Sequence, residues 1–177
     1  MTHYLVVTAI GTDRPGIVNE VTRHVSACGC NIVDSRLGIF GNEFTFIMLL
    51  SGDWNSLMQL EISLPLRSQE WDLITMMKRT ERHQSLHYDI SASAEILIRD
   101  EPGIVSQCTQ FFSANGWNIQ AMQSMTLEKQ PFNLLKMSFQ LNLAQDGAIE
   151  RSQMAFTTFC QGLGATSFEF IVNRKPT

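Results

Sequence analysis

Charge is what this chain has least of. Asp, Glu, Lys and Arg make up 17% of its 177 residues, against about 25% in an average soluble protein. Too few charges remain to cover every exposed sheet face, which leaves room for interfaces and for a homo-oligomer. Positive charge is the scarcer sign: 13 Lys and Arg against 17 Asp and Glu give a net −4. No basic stripe is present, so direct nucleic-acid binding is excluded as an expectation. No run approaches the roughly 20 apolar residues that cross a bilayer. Met1-Thr2-His3-Tyr4 lacks a charged leader and does not read as a signal peptide. With four cysteines and no secretory signal, the expected setting is the reducing cytoplasm.

Catalytic motifs are missing too. There is no Gly-x-Ser-x-Gly elbow, no Gly-rich phosphate loop with its Lys and no His-Glu-x-x-His, so an enzyme is not expected. Cys28-Gly29-Cys30 offers only two thiols where a closed zinc site needs about four ligands, and Cys108 and Cys160 lie far along the chain. All four read as small buried hydrophobes, and no cofactor or metal is implied. His83 and His87 fall in a polar stretch that reads as linker, and His3 and His24 have no carboxylate or thiol partner visible in sequence.

What the chain does have is a repeat. Residues 13–32 and 100–119 match at a constant offset of 87, with eleven of twenty positions identical, among them Asp13/Asp100, Gly16/Gly103, Asn31/Asn118 and Ile32/Ile119. The first copy parses as a strand over Tyr4–Ile10, then a helix with Pro15 at its first position and Gly29 at its end. Two strands, Ile32–Phe40 and Glu43–Leu50, flank a two-residue Gly41-Asn42 turn. Asp53 caps a second helix that Pro65 interrupts or ends, and Leu73–Lys78 is the last strand. The second copy repeats this with strands near Ala92–Arg99, Asn118–Leu127, Phe132–Leu143 and Thr166–Asn173, and helices near Pro102–Asn115 and Ile149–Leu163. The expected fold class is α+β: two ferredoxin-like βαββαβ modules in tandem, each an antiparallel four-stranded sheet with two helices on one face. Their expected bounds are 1–79 and 91–177, with residues 80–90 as linker and the polar stretch beginning at Arg79. The run Phe44–Leu50 is apolar on both faces, one expected to be core and the other an interface.

The strand-to-helix turn Asp13-Arg14-Pro15-Gly16 is the candidate site. A helix N-terminus offers unpaired N–H groups and the positive end of a dipole, worth about 0.3–1 kcal/mol to an anion. Gly16 would let a carboxylate approach the backbone, Asp13 would accept from an ammonium group, and Asn31 would lend an amide if the next strand starts beside the turn. A purely structural account uses the same residues: Asp as cap, Pro as helix start, Gly for the turn. Arg14 is replaced by Glu101 in the second copy, so a carboxylate is expected to find the first turn easier.

Those residues resemble the ACT domain family. The resemblance rests on Asp13-Arg14-Pro15-Gly16-Ile17-Val18, Asn31-Ile32, Asp34-Ser35-Arg36 and the run Phe44 to Gly52, and more thinly on Asp100-Glu101-Pro102-Gly103. Two copies filling nearly the whole chain are similar to the tandem-ACT repressors of bacterial glycine cleavage. The resemblance implies a transcriptional regulator of the glycine cleavage operon that acts through a DNA-binding activator protein, with glycine as its effector. It also implies ligand contacts from Asp13, Arg14, Gly16, Ile17, Val18 and Asn31, and from Asp100, Gly103, Ile104, Val105 and Asn118. The alternative on the same fold is an amino-acid-binding regulatory subunit of a metabolic enzyme.

Overall fold

Strict alternation over the first strand buries Leu5, Val7 and Ala9 on one side and leaves Val6, Thr8 and Ile10 on the other. The computed structural model describes residues 2–81, 90–143 and 149–174. The elements of the first half are β1 (His3–Thr12), α1 (Ile17–Ala27), β2 (Asn31–Phe40), β3 (Glu43–Gly52), α2 (Trp54–Glu70) and β4 (Leu73–Thr80). The second half has β5 (Ile90–Arg99), α3 (Ile104–Ala114), β6 (Asn118–Leu127), β7 (Leu134–Leu143), α4 (Ile149–Leu163) and β8 (Ser167–Arg174). The chain divides into two compact units, Met1–Gln84 and Ser85–Thr177. Their antiparallel sheets have matching orders, β2-β3-β1-β4 and β6-β7-β5-β8. This is the expected βαββαβ arrangement, twice.

The repeat extends to backbone detail. Gly16 and Gly103 sit at φ 90° and 92°, Gly29 and Gly116 at 75° and 68°. Each second strand carries a bulge at the same place, between Ile32 and Asp34 and between Ile119 and Ala121. Each unit has its own core between sheet and helices. The first packs Leu5, Val7, Val21, Val25, Met48, Leu57 and Leu60, among others. The second is more aromatic, with Phe111 stacked on Phe159 at 4.1 Å and Phe112, Trp117 and Phe156 packed around them.

Several sequence expectations change. Pro15 is not the first helical residue: Gly16 turns the chain through a left-handed conformation and α1 starts at Ile17. Pro65 neither ends nor interrupts α2, which runs on to Glu70. Pro65 itself is exposed, and the buried stripe Leu57, Leu60, Leu64 and Ser68 continues past it on the core side. Core burial on both sides outweighs the one lost hydrogen bond. Arg79 and Thr80 belong to β4 rather than to a linker. Arg79 pairs with Glu61 through two hydrogen bonds and stacks 4.0 Å above the Trp54 ring. β7 starts at Leu134, not Phe132. The expected linker histidines His83 and His87 lie outside the described residues. Asp53 does cap α2, accepting from the Ser56 N–H at 2.7 Å.

Candidate functional site

Each candidate turn is tied to the tip of its unit's hairpin. The Asp13 N–H donates to the Asn42 carbonyl at 3.1 Å, and the Asp100 N–H to the Asn133 carbonyl at 2.9 Å. The Ile17 N–H folds back onto the Arg14 carbonyl at 3.3 Å, and the Ile104 N–H onto the Glu101 carbonyl at 3.4 Å. Neither α1 nor α3 has a side-chain cap, so Asp13 and Asp100 do not fill that role. The first-turn N–H groups of Val18 and Asn19 therefore stay available, as do those of Val105 and Ser106 in the second unit. A Cβ placed on Gly16 or Gly103 would meet nothing within 4 Å. The positive φ, not crowding, is what calls for glycine there.

Charge around the two turns is balanced by different residues. Arg14 grips Glu20 with both guanidinium arms, at 3.0 and 2.6 Å, and this hydrogen-bonded pair lowers the Glu20 carboxyl from its usual range. In the second unit Glu101 pairs with Arg99 at 3.4 Å, and the position matching Glu20 is Gln107. Each turn thus carries one net negative charge, from Asp13, Arg14 and Glu20 in one and Arg99, Asp100 and Glu101 in the other. The expected electrostatic advantage of the first turn is absent, because Arg14 is already neutralised. Asp100 has a partner that Asp13 lacks: Thr126 Oγ1 donates to its carboxylate at 2.8 Å.

Asn31 and Asn118 are not brought to the turns. Asn31 pairs with Ser51, which pairs with Tyr4, whereas the turn follows Thr12 at the far end of β1. Eight residues of strand separate them by about 26 Å. The helix returns the chain to the strand's starting end, so β2 begins away from the turn. Asn42 and Asn133 are the asparagines beside the turns, and only hairpin register could have found them. Ile17 and Ile104 point into the cores, while Val18 and Val105 are half-buried at the base of each turn.

The remaining candidates resolve as packing. All four cysteines are free and buried. Burial pushes the Cys30 and Cys108 thiols up to about 11 and Cys160 up to about 12, which keeps them protonated and inert. His24 does have a thiol neighbour: Cys28 Sγ lies 3.9 Å from its Nε2, and Ser63 Oγ lies 2.8 Å away. The ring also meets Trp71 edge-on, and His3 meets Trp54 in the same way. Among the described residues, no three His, Cys, Asp or Glu side chains gather as a metal would require. No described helix is long and apolar enough to cross a membrane.

Comparison with known proteins agrees with this architecture. The ACT domain family model matches residues 3–78. The glycine cleavage system transcriptional repressor of Escherichia coli K12 is 40% identical over 173 residues, covering 97% of this chain and 91% of that protein. The repressor of the same name from Shigella flexneri matches to the same extent. A crystal structure provisionally assigned as a glycine cleavage system transcriptional repressor superposes with a TM-score of 0.77 at 34% identity, covering 99% of both chains. A protein of unknown function from Galdieria sulphuraria shares the fold across 99% of this chain, with a TM-score of 0.74 at 21% identity. Twin βαββαβ units, each led by an Asp-x-Pro-Gly turn and matched along nearly their full length, place this chain in the glycine cleavage system transcriptional repressor family, as a tandem of two ACT modules.

Proposed function

We propose that this chain represses the glycine cleavage operon by binding a DNA-binding activator protein, and that glycine relieves the repression. The observation carrying the reading is the near-full-length kinship with repressors of that system, 40% identical over 97% of the chain. Such a regulator works in the cytoplasm and reaches DNA only through its partner.

The chemistry of the turns supports glycine as effector. An α-amino acid carries a carboxylate and an ammonium group a few ångströms apart. The free N–H groups of Val18 and Asn19 suit the first, and Asp13 suits the second. Asp100 with Val105 and Ser106 repeats the arrangement, with Thr126 already orienting the carboxylate. Gly16, Ile17, Gly103 and Ile104 set the backbone that presents these groups. Arg14, held by Glu20, forms the rim. Asn31 and Asn118 stand a sheet length away and take no direct part at the turn of their own unit.

Calorimetric titration with glycine, with alanine and serine as controls, tests the effector half. Saturable, glycine-selective heat that disappears in the Asp13→Asn/Asp100→Asn double variant is expected. Wild-type protein giving no heat would remove glycine binding from this chain. Affinity capture from cells tests the other half: recovery of a metabolic enzyme in place of a DNA-binding protein would favour the regulatory-subunit alternative.

A further inference from the structure

The seam between the two helices is filled differently in the two units. Helix α3 repeats α1 at the offset of 87, so Phe111 stands where His24 does and Gln110 where Arg23 does. Helix α4 repeats α2 at an offset of 92. Leu64 and Phe156, and Ser68 and Cys160, are buried in register, and Asp72 and Gly164 follow in the same left-handed conformation, at φ 57° and 73°. Phe159 therefore takes the place of Arg67. In the second unit the two positions close the seam with a ring stack, Phe111 on Phe159 at 4.1 Å with 9° between the planes. In the first unit they hold two basic side chains.

The fold itself does not ask for bases there. A basic residue in the last turn of a helix offsets its dipole, and His24 and Arg67 both fall in such turns. Yet neither α3 nor α4 has a basic residue in its last turn. The pair is also electrostatically unfavourable: burial first, and then the charge of Arg67, hold the His24 ring below its ordinary pKa.

An open depression of about 470 Å³ lies over this seam, lined by Arg23, His24, Ser26, Arg67 and Trp71. That volume falls in the range of small-ligand sites. Glu20 reaches its edge, but Arg14 grips the carboxylate at 3.0 and 2.6 Å. Arg67 is engaged by Glu70 at 2.7 Å in an exposed pair of the weak kind, which gives way readily. Behind the His24 ring, Cys28 Sγ lies 3.9 Å and Ser63 Oγ 2.8 Å from Nε2. With Ser63 donating, the neutral ring carries its proton on Nδ1.

We propose that this seam binds a phosphate group, with Arg23, Arg67 and His24 as its donors. Guanidinium forks match phosphate oxygens in pairs. Two of them, carried by different helices, suit a tetrahedral oxyanion better than a planar carboxylate. The charge matches as well, since Arg23 and Arg67 bring two positive charges to a dianion. A bound dianion also removes the conflict between Arg67 and a protonated His24. The second unit has no such site, because Gln110, Phe111 and Phe159 replace all three donors.

Calorimetric titration of the full chain with inorganic phosphate, at constant ionic strength, tests the proposal. One phosphate per chain is expected, at a Kd of about 1 mM or tighter. The binding should persist in the Asp13→Asn/Asp100→Asn variant, which separates the seam from the turns. Arg23→Gln, at an exposed position, should weaken it about tenfold or more. His24→Phe/Arg67→Phe installs the pair of the second unit, and should abolish binding with an unchanged circular dichroism spectrum. In proton NMR the His24 ring, assigned by its loss in His24→Gln, should titrate at higher pH in phosphate than in chloride. Adenosine monophosphate binding more tightly than phosphate would make the source a phosphorylated metabolite that reaches Trp71; equal affinity would make it free phosphate. No saturable phosphate heat in the wild type, undiminished heat in His24→Phe/Arg67→Phe, or a His24 titration identical in phosphate and chloride would overturn the proposal.

Discussion

Gly16 and Gly103 provide an internal control that few proteins offer. Both sit in the left-handed region, at φ 90° and 92°, and a Cβ on either meets open space. Replacing either with alanine therefore adds backbone strain and no clash. For an L-residue that strain is roughly 1–2 kcal/mol. Alanine also narrows the unfolded ensemble, an offset of about 0.4–1 kcal/mol. The net is about 1 kcal/mol of destabilisation at each site, the same for both. In units of this length that lowers the melting temperature by roughly 4–8 °C. Differential scanning calorimetry of Gly16→Ala, Gly103→Ala and the double variant reads it directly. The two losses should be equal and should add, because the sites belong to separate cores. Asparagine, which tolerates this conformation, should cost less than alanine. Unchanged melting would mean the turns are not left-handed. A loss above about 3 kcal/mol at one site would mean that something packs against it, and the argument from open space would fail.

Two further outcomes follow from the first unit. Pro65→Ala returns an N–H to the α2 ladder opposite the Glu61 carbonyl, and should raise the urea midpoint by the equivalent of about 1–2 kcal/mol; a lower midpoint would show that proline is needed there. The His24 pKa is pulled below 6.5, first by burial and then by Arg67. The folded state therefore prefers the neutral ring, and the unfolded chain binds more protons between the folded value and 6.5. That contribution to stability is complete above 6.5 and is lost as pH falls toward the folded value. Urea midpoints from about pH 8 down to about pH 5 should show the loss, and His24→Gln should flatten it; an identical slope in the variant would acquit His24.

The fold was legible because its signals were local. Alternation along Tyr4–Ile10, the Gly41-Asn42 turn, the Asp53 cap and the offset of 87 each needed only neighbouring residues, and the two units follow from them. Pro65 misled because tertiary burial, not propensity, decides where α2 ends. The candidate site was half legible. Asp13 and Gly16 are adjacent in sequence and stay together. In sequence Asn31 belongs with the turn because it begins the next strand, but a helix reverses the chain between them, and only register shows the separation. The Arg14 to Glu101 change is, in sequence alone, a charge difference. The residues that cancel it, Glu20 and Arg99, occupy non-equivalent positions and become visible only through their contacts.

The matching bulges give each second strand one residue that its ladder can spare. Ile32 pairs on the helix side with Leu50, and after one unpaired residue Asp34 pairs on the open side with Leu49. Val33 thus acts as a phase shift, and Gln120 does the same in the second unit. Losing Val33 would make Ile32 and Asp34 direct neighbours, which a continuous two-residue period already places on opposite faces. Asp34 and Arg36 would stay on the open face and keep Leu49 and Ile47 as partners. A one-residue deletion at the bulge is therefore a small lesion, whereas a deletion within the regular ladder beyond it would turn the rest of the strand over.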